Sequence, residues 1–240
     1  MPDDLREFRT KAIDDFLKAV YSLQQQMEHP DQDYVSTNLL AQTLKISAPS
    51  VTDMVKRLAL MEDEENVHKL PVPLLKYTPY HGVRLSPEGE KIALEVIRHH
   101  RLLELYLVQK LGYTWDEVHE EADRLEHHIS EKLEARIAAA LGDPQIDPHG
   151  DPIPTLEGTI PSRELPHLAD LPLNEHATVS QIVDQSPNVL RYLSELGLTP
   201  GAEVTLIQRS PINDTVGIRV GDTTHTISTQ VARNVLVTEE

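Results

Sequence analysis

Between residues 143 and 174 the chain carries seven prolines, and its hydrophobic pattern changes across them. Upstream, apolar side chains recur at helical spacing, as on a helix that buries one face. Downstream they alternate or are β-branched, as in strands. Proline fixes φ and offers no backbone N–H, so a stretch this rich in it interrupts helices and sheets alike and reads as a linker. One continuous bundle and one continuous sheet are both excluded. The expected architecture is mainly α with a small β domain at the C-terminal end.

Within the first part, Leu5, Phe8, Ala12, Phe16, Ala19, Val20 and Leu23 predict an amphipathic helix over 4–27. Ser36 can cap a short helix over 37–44, and Ser47 another over 48–61 with Pro49 in its first turn. Two short helices joined by a tight turn suggest a helix-turn-helix. An acidic run follows, then Pro71, Pro73 and Pro79, which exclude a central strand. Residues 81–85 read as the return strand of a β-wing. Ser86-Pro87-Glu88 starts a long helix that Gly112 stops, and a further helical stretch runs from Trp115 to Leu141. Beyond residue 175, strands over 179–183, 203–208, 216–220 and 225–228 with a helix over 188–196 fit a small five-stranded barrel. The expected organisation is therefore 1–85 winged helix-turn-helix, 86–142 helical domain, 143–174 linker and 175–240 barrel.

Charge is unevenly spread. Of the net −17, residues 87–175 hold −11, and five of the twelve histidines (His99, His100, His119, His127, His128) fall within a 30-residue stretch of this acidic middle. There are no cysteines, which removes disulfides, thiolate metal sites and cysteine nucleophiles together. No apolar run approaches the roughly 20 residues a membrane span needs, and the polar start gives no secretory signal, so the cytosol is the expected compartment.

The segment His119 to His128 carries most of the chemistry. On a helix at about 100° per residue, His119, Asp123, Glu126 and His127 lie at about 0°, 40°, −20° and 80°, so two imidazoles and two carboxylates share one face. The preceding helix adds the i,i+4 pair His100 and Glu104. Carboxylate oxygens with imidazole nitrogens and no sulfur suit Mn²⁺, Fe²⁺ or Zn²⁺. The plainer alternative is a solvated acidic face with scattered histidines. Asp15, near a helix start, reads on its own as a solvated residue, and His149 has no partner in spacing and reads as structural.

The helix-turn-helix is not basic. Its second helix opens Ser47-Ala48-Pro49-Ser50-Val51-Thr52, offering small hydroxyls and methyls rather than Arg or Asn for base edges. Contacts to thymine methyls, waters and phosphates are what such a surface can make, with much of the specificity left to DNA shape. Lys56, Arg57, Lys69, Lys76 and Arg84 are candidate phosphate contacts.

The order winged helix, histidine-rich helices, proline linker and small barrel resembles the diphtheria-toxin-repressor family of iron- and manganese-dependent transcriptional repressors. The resemblance covers nearly the whole chain. It is carried by Ile13-Asp14-Asp15-Phe16-Leu17, Ser47 to Thr52, Leu85-Ser86-Pro87-Glu88-Gly89, His99-His100-Arg101-Leu102-Leu103-Glu104, Val118 to Ser130, and Gly150-Asp151-Pro152-Ile153-Pro154. It implies a homodimer that binds a pseudo-palindromic double-stranded operator when loaded with metal. The helical domain is then the dimerisation domain and the barrel an SH3-like, FeoA-type domain, with no membrane and no small-molecule substrate involved. It also implies a regulatory metal site at Asp15, Asp123, Glu126 and His127. A second site at His100, Glu104 and His119 would be completed from the C-terminal domain near Asp184 or Ser186. Iron-type members carry Met at the position of Asp15 and Cys at that of Asp123. The two carboxylates here match the manganese type, which favours Mn²⁺ over Fe²⁺, with Zn²⁺, Co²⁺ or Cd²⁺ as substitutes in vitro. Short manganese-type members have an acid where this chain has Lys18, and the wing here is longer than the family norm.

The implied mechanism is electrostatic. Bare carboxylates from two parts of the chain repel, and a divalent cation reverses the sign and fixes the spacing of the recognition helices. Two readings from other classes stand beside it: a metal-dependent hydrolase using the same His/Asp/Glu cluster, and a metal-independent winged-helix regulator.

Overall fold

The computed structural model describes residues 8–27, 34–59, 71–161 and 163–239. It divides into two compact units, Met1–Arg98 with Pro154–Thr159, and His99–Ile153 with Ile160–Glu240.

In the first unit, Thr10 caps helix α1 (Lys11–Gln25) by accepting from the Ile13 N–H. One face of α1 buries Ile13, Phe16, Leu17 and Val20. Helices α2 (Thr37–Leu44) and α3 (Ala48–Leu58) begin at the expected serines: Ser36 Oγ accepts from Leu39 N and Ser47 Oγ from Ser50 N. Lys45 turns the chain between them in the left-handed region, at φ 54°. Strands β1 (Leu75–Thr78) and β2 (Gly82–Leu85) form the antiparallel wing, with Lys76 directly opposite Arg84. Val35 joins the wing through reciprocal backbone bonds with Val83 at 2.6 and 2.9 Å. Gly82, at φ +120°, permits this, because a Cβ there would lie 2.1 Å from the Val35 carbonyl oxygen. These elements close over Phe16, Leu17, Leu40, Leu58 and Val83, all 1% exposed or less. Each such side chain contributes about 1.5–3 kcal/mol on burial. The first residues of the expected 4–27 helix, and the acidic run with Lys69, lie outside the described residues.

Ser86 starts helix α4 (Pro87–Leu111) as its sequence predicts, accepting from Gly89 N and donating to the Pro73 carbonyl. The division between the units falls within α4, between Arg98 and His99. In the second unit follow α5 (Val118–Leu125) and α6 (Glu131–Ala140). Strands β3 (His176–Ile182), β4 (Glu203–Ser210), β5 (Thr215–Val220), β6 (Thr223–Ser228) and β7 (Val235–Glu239) form one antiparallel sheet in the order β6-β5-β4-β3-β7. Helices α7 (Pro187–Glu195) and α8 (Thr229–Arg233) accompany it. Strands β3 and β4 each carry a register shift, which bends the sheet around the core of Val179, Ile182, Leu193, Leu206 and Ile218.

Two expectations need correction. The helical stretch from Trp115 to Leu141 is two helices, broken over residues 126–130, because Ser130 takes the N-cap role for α6 and accepts from Leu133 N. Glu126 and His127 therefore leave the helix on which His119 and Asp123 lie. The proline-rich segment is packed rather than linker-like: Asp147, His149, Ile153, Leu168 and Leu171 are all buried. Its prolines break regular elements without excluding the chain from a core.

Candidate metal centre and DNA-binding face

His100 lies at the centre of a chain of close contacts in the second unit. Its Nδ1 is 2.6 Å from Glu126 Oε2 and 3.3 Å from Asp123 Oδ1. Its Nε2 is 2.9 Å from Glu104 Oε1 and 3.0 Å from His119 Nδ1. The last two atoms are themselves 3.1 Å apart. Octahedral coordination with bonds of about 2.1 Å sets neighbouring ligand atoms about 3 Å apart, so this triangle has the size of one face of a metal site. His127 Nε2 approaches Glu126 Oε1 at 3.2 Å. Glu104, Glu126 and His127 are buried, while His119 and Asp123 are half exposed. The expected regulatory and second ligand sets are thus joined through His100. Asp15 belongs to the first unit, on α1, where it pairs with Lys11 at 3.4 Å. Asp184 is not among these clusters; its Oδ1 accepts from Ser186 N at the start of α7.

His99 fixes the break between α5 and α6. Its Nδ1–H donates to the Glu126 carbonyl and its Nε2 faces the buried Glu134 carboxylate, both at 3.2 Å. The backbone of Glu126 is therefore held from α4, which positions the carboxylate beside His100 without a helical turn to carry it.

A second cluster involves residues that spacing alone does not reveal. Glu104, Asp147 and His149 are all buried, with ligand-capable atoms within 4.8 Å of one another. His149 Nε2–H donates to the Trp115 carbonyl at 2.8 Å, and the ring stacks on the Trp115 indole at 5.9 Å between centroids. That bond fixes the tautomer, leaving the Nδ1 lone pair facing Glu104 Oε2 at 3.7 Å and Asp147 Oδ1 at 4.0 Å. Nδ1 has no hydrogen-bond partner among the described residues, although its side chain is 0% exposed. Three acceptors aimed at one point in a dry interior need a positive charge between them. The ionisation of the bare cluster reflects this. Burial pushes the Asp147 carboxyl up to about 7, reinforced by the charges of Asp151 and Glu104. Burial alone lowers His149, but Glu104 and Asp147 outweigh it and raise it to about 8. Burial likewise raises Glu104, yet the charge of His100 and contacts from His100, His119 and His149 hold it well below the usual range. A proton there stands in for a cation. A ligand histidine that donates its other N–H to a backbone carbonyl is also the usual arrangement at metal centres. The signal was present in Asp147-Pro148-His149-Gly150-Asp151, but it depends on a loop that no helical period describes.

On the first unit, Ser47, Ala48, Pro49, Ser50 and Thr52 are exposed together at the start of α3. Ser47 and Ser50 hydroxyls are 2.8 Å apart and Thr52 donates to the Ala48 carbonyl. Lys56 and Arg57 follow in the last turn of α3, and Arg84 lies over the Tyr34 ring at 5.4 Å on the wing.

The chain matches the iron dependent repressor N-terminal DNA binding domain over residues 9–70 and the iron dependent repressor metal binding and dimerisation domain over 86–155. It matches the FeoA domain over residues 167–239. The iron-dependent repressor IdeR of Mycobacterium tuberculosis is 30% identical over 80% of this chain and 81% of its own. The chain belongs to the iron-dependent repressor family. It is a metal-dependent transcriptional repressor with a DNA-binding domain, a dimerisation domain and an SH3-like FeoA domain. The IdeR of Mycobacterium leprae is 29% identical over 92% of this repressor and 94% of its own length. A manganese-dependent transcriptional repressor in complex with manganese superposes with a TM-score of 0.78 at 32% identity, covering 95% of this chain and all of that one. ScaR with bound Cd²⁺ gives 0.71 at 26% identity, over 97% of this chain and all of that one. None of these matches supports the hydrolase alternative. No helix among the described residues is long and apolar enough to cross a membrane.

Proposed function

We propose that Mn²⁺, in preference to Fe²⁺, is the effector, and that the loaded homodimer binds a pseudo-palindromic operator to repress metal-uptake genes in the cytoplasm. The observation that carries the reading is the donor set: every candidate ligand is a carboxylate oxygen or an imidazole nitrogen, and the chain has no cysteine. Mn²⁺ gains least from soft ligands and loses least without them.

We assign two positions. Asp123, Glu126 and His127 form the regulatory one, which Asp15 of the DNA-binding half completes. Glu104, Asp147 and His149 form a buried one. In place of the expected His100–Glu104–His119 set, whose atoms already satisfy one another at 2.9–3.1 Å, we take His100 and His119 to orient the ligand carboxylates of each position. A divalent cation supplies the positive charge these carboxylates lack. The residues do the rest: Glu126 is aimed by His99 and His100, His149 by Trp115, and Asp147 by the backbone N–H groups of His149 and Asp151 at 2.8 and 2.9 Å. Differential affinity for the clamped conformation shifts the population toward the DNA-binding form. Small hydroxyls at the start of α3 then face the major groove, and the flanking lysine and arginines take phosphates.

The test is retardation of a promoter fragment by the full chain with Mn²⁺, with anaerobic Fe²⁺ and with chelator. Retardation at lower concentration with Mn²⁺ than Fe²⁺, and none in chelator, is the expected result. Equal retardation in chelator overturns the metal switch. Asp15→Ala keeps a folded dimer but loses the metal response; an unchanged response removes Asp15 from the regulatory position.

A further inference from the structure

The buried cluster belongs to a loop that the FeoA domain holds. Residues 147–151 run beside β3, where the His149 carbonyl accepts from Ile182 N at 3.0 Å. Gly150, at φ +91°, lies so close that a Cβ would meet the Ser180 carbonyl oxygen at 1.9 Å. Asp151 accepts from two FeoA-domain amides, Gln181 Nε2 at 2.5 Å and Gln185 Nε2 at 2.7 Å. From the other side, Arg101 on α4 donates to the Pro152 carbonyl and lies 3.7 Å from Asp147 and 3.8 Å from Asp151. Trp115, the stacking partner of His149, donates its indole N–H to Ser194 Oγ on α7 at 2.7 Å. The loop that aims Asp147 and His149 at Glu104 is therefore clasped between α4 and the FeoA domain, largely through polar groups.

We propose that Asp151, gripped by Gln181 and Gln185, is a positioning residue that sets the affinity of the buried Glu104–Asp147–His149 position, so that the FeoA domain tunes metal capture by holding the loop. This rests on the reading of that cluster as a metal position. Asp151 accepts two amide bonds while its own N–H donates to Asp147 Oδ1, so the clasp and the ligand carboxylate share one residue's backbone. Loosening the amides frees the turn on which Asp147 and His149 sit. Loss of a group that orients a metal ligand weakens binding about 10–100-fold. The same contacts give a built-in reporter, since Trp115 is the only tryptophan.

The experiment counts Mn²⁺ bound to the full-length protein by electron paramagnetic resonance of the free ion, with Trp115 emission followed in parallel. The proteins compared are wild type, Glu104→Gln, the double variant Gln181→Ala/Gln185→Ala, and the swap Asp151→Asn/Gln185→Glu. In the swap, the new amide at 151 keeps its oxygen for Gln181 and donates to the new carboxylate at 185. The expected result is two classes of Mn²⁺ in wild type and one in Glu104→Gln. The double alanine variant weakens the Glu104-dependent class alone by about 10-fold or more, with a red shift of Trp115 emission before any metal is added. The swap restores both. If Glu104→Gln removes one class but the double variant leaves both classes and the emission unchanged, the clasp proposal is overturned and the metal position stands. If wild type and Glu104→Gln bind Mn²⁺ alike, the metal position itself is overturned, and the clasp with it.

Discussion

The two carboxylate–imidazole clusters of the second unit share Glu104 yet differ in how their polar atoms are satisfied. Around His100, ring nitrogens and carboxylates meet at 2.6–3.3 Å, and His119 and Asp123 are half exposed. The polar atoms of that network lie within hydrogen-bonding distance of one another, and its rim is open to solvent. Around His149, the buried Nδ1 faces two carboxylates at 3.7 and 4.0 Å and has no hydrogen-bond partner among the described residues. The first set satisfies its polar atoms through one another. The second needs a proton or a cation between its groups, because an uncompensated polar group in a low-dielectric interior is costly. The difference teaches that short contacts alone do not mark the place where a cation matters most. A deep cluster that needs a charge between its groups does.

This contrast can be broken or sharpened by substitution. The largest effect is expected from Glu104→Gln, which touches both clusters. Isothermal titration with Mn²⁺ should show the buried class lost outright and the remaining class weakened by about 10-fold, as its orienting contact to His100 goes. His149→Phe comes next. It removes the imidazole that donates to the Trp115 carbonyl and that, without a cation, carries a proton between the carboxylates, while keeping an aromatic ring beside Trp115. Thermal unfolding in chelator should therefore lose about 1–3 kcal/mol relative to wild type, and the added stability that saturating Mn²⁺ gives wild type should shrink by about 2–4 kcal/mol. An unchanged Mn²⁺ increment instead would remove His149 from the buried position. His119→Ala, at the exposed rim, should weaken Mn²⁺ by no more than about 10-fold and leave the unfolding curve in chelator unchanged. The smallest effect is expected from Asp184→Asn, which sits in neither cluster. It should leave both Mn²⁺ classes unaltered in the same titration, and any loss would bring the C-terminal domain into the coordination sphere.

Much of this molecule can be read before its coordinates. Serine caps at positions 36, 47 and 86 precede helices as the pattern predicts, because an N-cap depends only on one side chain and the next turn. The return strand of the wing and four of the five strands of the FeoA domain likewise follow from alternation and turn residues, whereas Leu75–Thr78 and Val235–Glu239 do not. His100 with Glu104, and His119 with Asp123, are legible because i,i+4 spacing places them on one helix face. What escapes local reasoning is set by tertiary contacts. The break after Leu125 has no glycine or proline to announce it, and it depends on the buried His99 holding the Glu126 carbonyl. The role of Asp147 and His149 is hidden in a segment whose prolines suggest a linker. Its packing comes from Arg101, Trp115 and the strand β3, residues distant in sequence.

The most direct test of the account is anomalous diffraction at the manganese absorption edge from crystals of the full chain grown with Mn²⁺. An anomalous peak bounded by Glu104, Asp147 and His149 Nδ1, with the Trp115 carbonyl still accepting from Nε2, is the predicted result. Contradiction would take the form of no peak there at saturating Mn²⁺, with His149 Nδ1 protonated and hydrogen-bonded to a carboxylate.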